Sequence, residues 1–371
     1  MIIDLIAIDR LDWIGLGYFI LFEQIRINYF GGIRRKKKKE RMDFQMMRVQ
    51  RLSEGGIAEV PAQYIQPPEE RPPISDDLTV IDNSDEDNVP MIDVFGFDSE
   101  QRDTVCKLIG DACAQWGAFH ITNHGVPVEL LDQIRGVGLS FFKDCPVEDK
   151  LKYACDPNSP ASQGYGSKML RPEAEAEAET STVLDWRDYF DHHTLPLSRR
   201  DPSRWPHFPT NYRQVVAHYS DELKLVAQKL LGIISESLGL PTSCIEDAVG
   251  EFYQNITISY YPACPQPHLT LGLQSHSDMG AITLLIQDHV GGLQIFKDSR
   301  WITVHPQSHS ILVILADQME VIEPLLMFSF SAIDMLFSFS CWLNCSFFLI
   351  FSPCFLTNLD KKAMNCVHVS D

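Results

Sequence analysis

The stretch "LQSHSDMGAITLLIQDHVGGLQIF", Leu273–Phe296, places a histidine and an aspartate two residues apart, directly before apolar, strand-like sequence. In an extended chain, side chains at i and i+2 point to the same side, so His276 and Asp278 can bind one metal ion while Ser277 points away. One imidazole and one carboxylate suit a first-row ion such as iron(II), and a second histidine would complete a facial set of three ligands. Taken alone, a His-x-Asp pair is also common on protein surfaces, so the rest of the chain decides between the two interpretations.

The composition excludes some classes of partner. Of the 371 residues, 45% are hydrophobic and 22% are charged, and the formal net charge is −19. Nucleic-acid binding depends on clustered lysine and arginine, so this acidic balance argues against it and favours a small-molecule partner. The ten cysteines form no Cys-x-x-Cys pair, and acidic residues interrupt the apolar N-terminus. We therefore expect a cytoplasmic monomer with free thiols.

Helical spacing dominates the first half of the chain. Apolar residues repeat at the spacing of one helix face, which predicts a helix over Ser99–Trp116; they are Val105, Leu108, Ile109 and Ala112. A second helix is expected after Pro127, which suits a first helical turn, and a third is expected from about residue 212 to 238. The short apolar run between the first two helices predicts a strand.

After Gly250 the apolar period changes from helical to two. Four strand-like runs follow, separated by Pro, Gly and Asp: "EFYQNITISYYPAC", "AITLLIQD", "GLQIFKDSRWITVHP" and "SILVILADQMEVI". Several short strands after a helical preface predict an α+β fold. Its core is expected to be a jelly roll, also called a double-stranded β-helix, behind an N-terminal preface of helices and strands.

Three stretches also carry a family resemblance: "WGAFHITNHGVPVELL", "ISYYPACPQPHLTLGLQSHSDMGAITLLIQDHVGGLQIFKDSRWITVHP" and "ILADQ". Over roughly residues 49–321 the chain resembles the plant 2-oxoglutarate- and iron(II)-dependent dioxygenases, in the branch of flavonol synthase and anthocyanidin synthase. The resemblance implies Fe(II), 2-oxoglutarate and O2 as reaction partners and ascorbate as a reductant. It also implies a small flavonoid-like or hormone-like plant metabolite that is hydroxylated or desaturated.

The resemblance assigns roles to particular residues. His276 and Asp278 resemble the first two iron ligands, and Tyr261 resembles the tyrosine that binds the 2-oxoglutarate carboxylate. A strand aromatic packed in the core is the alternative for Tyr261. Position 259 is Ser where these enzymes commonly have Asn. Tyr165, in a Gly-Tyr-Gly turn, and Phe190, in the run "DWRDYF", are candidates for the substrate pocket, with an ordinary turn and strand as the alternative.

The remaining family residues have no counterpart in the sequence. The second histidine ligand is expected near position 332, where the chain has Ala332, and no arginine follows Arg300 to supply the Arg-x-Ser pair that clamps 2-oxoglutarate. His289, His305 and His309 come too early for the pattern. We therefore expect the third ligand and the last jelly-roll strands to be missing, and the chain as written to be inactive.

Both ends of the chain differ in composition from its middle. The start holds the apolar run "WIGLGYFILF" and the basic run "RRKKKKER", and the end holds a charge-free stretch at Met335–Leu356. We expect translation to begin near Met42, Met46 or Met47, and we expect the tail to be foreign to the enzyme. The expected segments are an extension, an approach segment, an N-terminal dioxygenase region, an incomplete jelly-roll domain and an aberrant tail, at residues 1–45, 46–88, 89–250, 251–322 and 323–371.

Three hypotheses about function follow. The first is an oxygenase of a small plant metabolite of which this chain is an incomplete version. The second is a truncated form that binds partners or metabolites without turnover. The third is a tail-anchored membrane protein with an inactive oxygenase head, because the length of the apolar tail would span a bilayer. We expect the first, and a membrane association is not expected.

Overall fold

The computed structural model describes residues 48–71, 88–155, 163–166 and 183–319, and the backbone of residues 2–6 and 367–369. The basic run, position 332 and the tail from residue 320 to residue 366 lie outside the described residues, so the expectations for these segments stay predictions.

The helices form where the apolar spacing predicted them. The longest three have one buried face each, and the first ends at Gly117, whose φ of 64° lets its N–H reach back to the carbonyls of Ala112 and Cys113. Leu108, on the predicted apolar face of that helix, is 47% exposed instead of buried. The α-helices are α1 Val49–Glu54, α2 Arg102–Trp116, α3 Val128–Lys143, α4 Val147–Leu151, α5 Tyr212–Ser237 and α6 Cys244–Val249.

The described strands are β1 Ile2–Ile6, β2 Met91–Asp93, β3 Ala118–Thr122, β4 Gly164–Gly166, β5 Asp188–Leu195, β6 Gln254–Tyr260, β7 Ile282–Gln287, β8 Leu293–Lys297, β9 Arg300–Thr303, β10 Ile311–Leu315 and β11 Val367–Val369. They form two sheets. The larger has the order β2-β3-β10-β7-β1-β6-β5-β4 and the smaller has the order β11-β8-β9.

The two faces of the large sheet have different neighbours. On one face, here called the helix face, Phe190, Ile258 and Leu284 belong to the main core, which α2, α3 and α5 complete. The opposite face, here called the site face, carries Thr283 and Leu285, because side chains alternate along a strand. Leu285 packs in a second core together with residues of the smaller sheet. Two sheets around a shared core, with helices outside, are the predicted jelly roll and its helical preface.

The preface and the jelly roll share one core. β5, from the predicted N-terminal region, pairs with β6 of the predicted jelly-roll domain over seven residue pairs. The main core likewise takes residues from both sides of the predicted boundary at 250. The two regions therefore form one packing unit.

β1 lies in the interior of the large sheet. It pairs antiparallel with β6 on one side and with β7 on the other. The expectation that residues 1–45 are foreign to the fold and the expected translation start both stay predictions. Within the parts of the chain that the structure describes, no helix has the length and apolarity to cross a bilayer.

Candidate metal and substrate site

The donor atoms of His276 and Asp278 converge, as their spacing predicts. His276 Nδ1 lies 2.9 Å from the carbonyl oxygen of Gln274, so the ring donates from Nδ1 and keeps the lone pair of Nε2 available. Nε2 is 3.4 Å from Asp278 Oδ1. Adjacent ligands of one ion with bonds of about 2.1 Å lie roughly 3 Å apart, so the pair fits two neighbouring coordination positions.

A neighbouring strand residue orients the carboxylate. Thr283, on the site face of β7, donates a hydrogen bond from its hydroxyl to Asp278 Oδ2. This bond holds one carboxylate oxygen and leaves Oδ1 directed at His276. The Asp278 side chain is 7% exposed and that of His276 is 36% exposed, so the pair opens to solvent on the histidine side. The alternation of β7 contained the signal for Thr283, but the sequence analysis did not single it out.

Hydrogen bonds fix both ends of the segment that carries the pair. On the histidine side, Gln274 donates to Asp185 Oδ1 from its backbone N at 3.2 Å and from Nε2 at 2.9 Å. On the aspartate side, the Asp317 backbone N–H donates to the Asp278 carbonyl at 2.9 Å. The segment itself is irregular. These hydrogen bonds, and not strand pairing, therefore fix the positions of the two candidate ligands.

Tyr261 directly follows β6 and lies two residues beyond Ser259. It is partly buried and packs against the core between the two sheets. Because that core borders the site face, this place is compatible both with packing in the core and with contact to a ligand on the site face. Its role in binding 2-oxoglutarate stays a prediction.

A row of polar side chains continues along the site face of β5 and β6. The Thr257 hydroxyl donates to Asp191 Oδ1 at 2.6 Å, and Arg187 Nη1 donates to Ser259 Oγ at 3.1 Å. The Arg187 guanidinium also lies over the Tyr189 ring, 5.1 Å from its centroid. Burial raises the pKa of the Asp191 carboxyl to about 6, against the bond from Thr257 and the charge of Arg187, which lower it. No sequence motif pointed to these residues.

The two predicted pocket residues lie elsewhere. Tyr165 and Phe190 pair directly across β4 and β5, and both are buried in the main core on the helix face. The Phe190 ring packs edge-on against Phe141 at 5.4 Å, and the Tyr165 hydroxyl donates to Asp188 Oδ2 at 3.3 Å. This placement agrees with the alternative of an ordinary turn and strand, on the opposite side of β5 from Tyr189 and Asp191. The role of the two residues in the substrate pocket stays a prediction.

A third metal ligand does not join the pair within the described ranges. No group of three or more His, Cys, Asp or Glu side chains comes together in the part of the chain that the structure describes. The His309 carbonyl accepts a hydrogen bond from His124 Nε2 at 3.0 Å, which is a structural contact at the start of β10. Residue 368 pairs with Gln294 in the smaller sheet, and this backbone position is all that is described for it. The missing ligand and the missing arginine stay predictions.

Comparisons with known proteins identify the family of the chain. A profile described as the N-terminal region of a non-haem dioxygenase in morphine synthesis matches residues 89–208, and one described as the 2OG-Fe(II) oxygenase superfamily matches residues 252–330. A leucoanthocyanidin dioxygenase of Malus domestica is 37% identical over 74% of this chain and 76% of its own length. The chain belongs to the 2OG-Fe(II) oxygenase superfamily.

Other members of the superfamily extend the comparison. Jasmonate-induced oxygenase 1 of Arabidopsis thaliana is 39% identical to this oxygenase over 75% of the chain and 67% of its own length. The crystal structure of JOX2 in complex with 2OG, Fe and JA matches with a TM-score of 0.63 at 36% identity, covering 74% of each chain. A full-length Neurospora crassa protein crystallised with alpha-KG and thymine, 21% identical with a TM-score of 0.54 over 63% of this chain and 76% of its own, shows the fold alone. The chain is thus similar to a leucoanthocyanidin dioxygenase and to jasmonate-induced oxygenases of plants.

Proposed function

We propose that the protein is an Fe(II)- and 2-oxoglutarate-dependent oxygenase whose metal is held by His276 and Asp278, and that the chain as written is an incomplete version without turnover of its own. The observation that carries the proposal is the 3.4 Å separation of His276 Nε2 and Asp278 Oδ1, with the second carboxylate oxygen held by Thr283. Iron(II) at this pair would couple O2 reduction to the conversion of 2-oxoglutarate to succinate and CO2 and to oxidation of the substrate. Ascorbate would keep the metal reduced.

We assign the substrate to the site face of β5 and β6. Asp191 presents a buried carboxylate, which is mostly ionised above its pKa of about 6 and accepts hydrogen bonds from hydroxyl groups. Tyr189 offers an aromatic ring that is half-buried. A flat, hydroxylated, flavonoid-like molecule fits an acceptor beside a ring, whereas a carboxylate of a hormone-like molecule would be repelled by Asp191. A flavanone 3-dioxygenase of Petroselinum crispum, 36% identical over 69% of this chain and 67% of its own length, favours the same substrate class.

A second candidate is a chain that binds metal and metabolite without turnover. It is favoured by one observation: within the described residues the pair has no third His, Cys, Asp or Glu partner. Iron(II) binds more weakly to two protein ligands than to three. 2-Oxoglutarate likewise binds more weakly without an arginine for its far carboxylate. Loss of one charge-assisted contact costs up to about 3 kcal/mol, roughly a hundredfold in binding.

The two candidates are separated by measuring iron binding and turnover on the same variants. Anaerobic iron(II) titration of the whole chain should show binding that Asp278→Ala abolishes. The matched control is His268→Ala, which removes an exposed histidine from the same connection between β6 and β7 and should leave iron binding unchanged. Equal iron binding by the parent chain and Asp278→Ala would refute the metal site.

Succinate formation then tests activity. With 2-oxoglutarate, O2, ascorbate and either flavonoid or hormone-like candidates, we expect the unaltered chain to match the Asp278→Ala background. A version whose sequence after Val321 is replaced by a block with the second His and Arg-x-Ser should form succinate and prefer flavonoids. Succinate formation by the unaltered chain that depends on Asp278 would show that another residue, such as His305, His309 or His368, completes the site. We further propose that the protein is a cytoplasmic monomer, which cell fractionation and ultracentrifugation would test.

A further inference from the structure

β1 lies in the large sheet between two strands, β6 and β7, that are both far from it in sequence. β1 runs antiparallel to β6 and to β7, and each of its five residues has a partner on both sides. β6 and β7 are therefore parallel to each other and are separated by the width of one strand. Ile6 pairs with Thr283 of β7, which donates a hydrogen bond to Asp278, so this slot lies next to the candidate metal site.

The slot requires a strand. Neighbouring strands pair at about 4.8 Å, so β6 and β7, roughly 10 Å apart, cannot pair with each other. Without a strand between them, the inner backbone groups of both would lie unpaired in the middle of a sheet whose helix face is covered by the main core. Unpaired buried backbone groups cost free energy comparable to the hydrogen bonds that they lack.

The slot also selects a sequence pattern. Ile3 and Leu5 occupy the register positions flanked by the most buried residues of β6 and β7. These neighbours are at most 1% exposed and comprise Ile256, Ile258, Leu284 and Ile286. Position 4, between Thr257 and Leu285, lies in the row of the site face and is Asp4. The slot thus fits an antiparallel segment that is apolar at alternate positions on the helix-face side.

No tight turn connects this strand to its neighbours. The sequence places residues 7–47 between the end of β1 and Arg48, the first residue of the next described range. A strand so far in sequence from both neighbours binds its slot as a segment of the same chain, at a higher effective concentration than a separate peptide.

We propose that the slot between β6 and β7 is a strand-binding site, which the N-terminal segment Ile2–Ile6 of this chain fills. The segment binds by strand addition, with backbone hydrogen bonds on both edges and apolar residues at positions 3 and 5. The same segment supplied as a separate peptide binds the slot when the tethered copy is prevented from doing so. A chain that began at Met42 would carry an open slot beside the metal pair.

The test uses the full chain and a labelled synthetic peptide of residues 1–10, MIIDLIAIDR. Leu5→Pro removes a backbone donor from the middle of β1 and should free the slot. The matched control, Leu11→Pro, makes the same replacement beyond the bounds of β1. In fluorescence anisotropy the peptide should bind Leu5→Pro at least tenfold more tightly than the parent chain or Leu11→Pro. A peptide with proline at position 5 should bind none of the three. Equal peptide affinity for all three chains, or no binding to any of them, would overturn the proposal.

A second measurement decides the question if Leu5→Pro fails to fold. Leu5 and Leu284 are direct partners in the register, and directly opposed residues of antiparallel strands come close enough for a disulfide. The full chain with Leu5→Cys and Leu284→Cys should form that disulfide under mild oxidation, as mapped by peptide mass spectrometry. Asp4→Cys with Leu284→Cys, displaced by one residue to the other face, should form at least tenfold less. Equal linkage of the two pairs, or no linkage of residues 5 and 284, would refute the strand in its slot.

Discussion

Replacing Asp191 by asparagine should stabilise the protein at neutral pH and change its stability little near pH 4. The carboxyl is 8% exposed and accepts one hydrogen bond at 2.6 Å from Thr257. Burial raises its pKa from the ordinary value of 3.8 to about 6. As the pH rises, the unfolded chain therefore releases this proton before the folded chain does, so stability falls between pH 3.8 and about 6 and stays lower above that range.

The size of the effect follows from the difference between the folded and unfolded pKa values of Asp191. Each tenfold change in an acid dissociation constant corresponds to about 1.4 kcal/mol, so the free-energy cost of ionised Asp191 reaches about 3 kcal/mol at pH 7.5 and is about 0.5 kcal/mol at pH 4. Asparagine keeps the oxygen that accepts from Thr257 but does not ionise. At roughly 2 °C per kcal/mol for a chain of this size, Asp191→Asn should raise Tm by about 6 °C at pH 7.5.

Thermal and urea unfolding from pH 4 to pH 8 provide the assay. Asp111→Asn, an exposed aspartate on α2, is the matched control and should give the same stability as the parent chain at every pH. A stabilisation by Asp191→Asn that is independent of pH would show that packing, and not ionisation, is responsible. A destabilisation at pH 7.5 would refute the argument altogether, because it would mean that the carboxylate is well solvated or well paired in the fold.

Three other predictions test the packing around the site. Phe141→Ala should lower the free energy of unfolding by about 3–5 kcal/mol, since this side chain is fully buried among aromatic rings. Leu139 is 40% exposed on the same helix, so Leu139→Ala should change the free energy of unfolding by less than about 0.5 kcal/mol. Gly164→Ala should destabilise the fold by on the order of 1–3 kcal/mol, because the φ of Gly164 is +128° and a Cβ there would lie 2.5 Å from the Tyr153 carbonyl oxygen. The control Gly136→Ala has open space around the new Cβ in α3 and should stabilise the fold by about 0.5–1 kcal/mol. Burial lowers the pKa of His192 to about 3, so its contribution to stability is complete above pH 6.5 and is lost as the pH falls towards 3. In urea titrations, His192→Gln should reduce this loss of stability at low pH. An unchanged dependence of stability on pH would contradict the prediction.

The sequence by itself determined the features that depend on local spacing. The helix period placed α2, α3 and α5 within a few residues of their ends, and the period of two placed the strands after residue 250. The closeness of His276 and Asp278 could also be found from the sequence, because side chains at i and i+2 are brought together by the local backbone alone. The family resemblance then identified the class of chemistry.

The tertiary structure decided the features that depend on which strands meet. Alternation showed that Phe190 and Asp191 point in opposite directions, but only the packing of α3 and α5 against the sheet shows that Phe190 belongs to the core and Asp191 to the site face. Thr257 reaches Asp191 across 66 positions of sequence. The slot for Ile2–Ile6 arises in the same way, because backbone hydrogen bonds between strands are nearly independent of sequence. An apolar pentapeptide can therefore pair in many places, and the neighbouring strands and the buried residues on one face select its position.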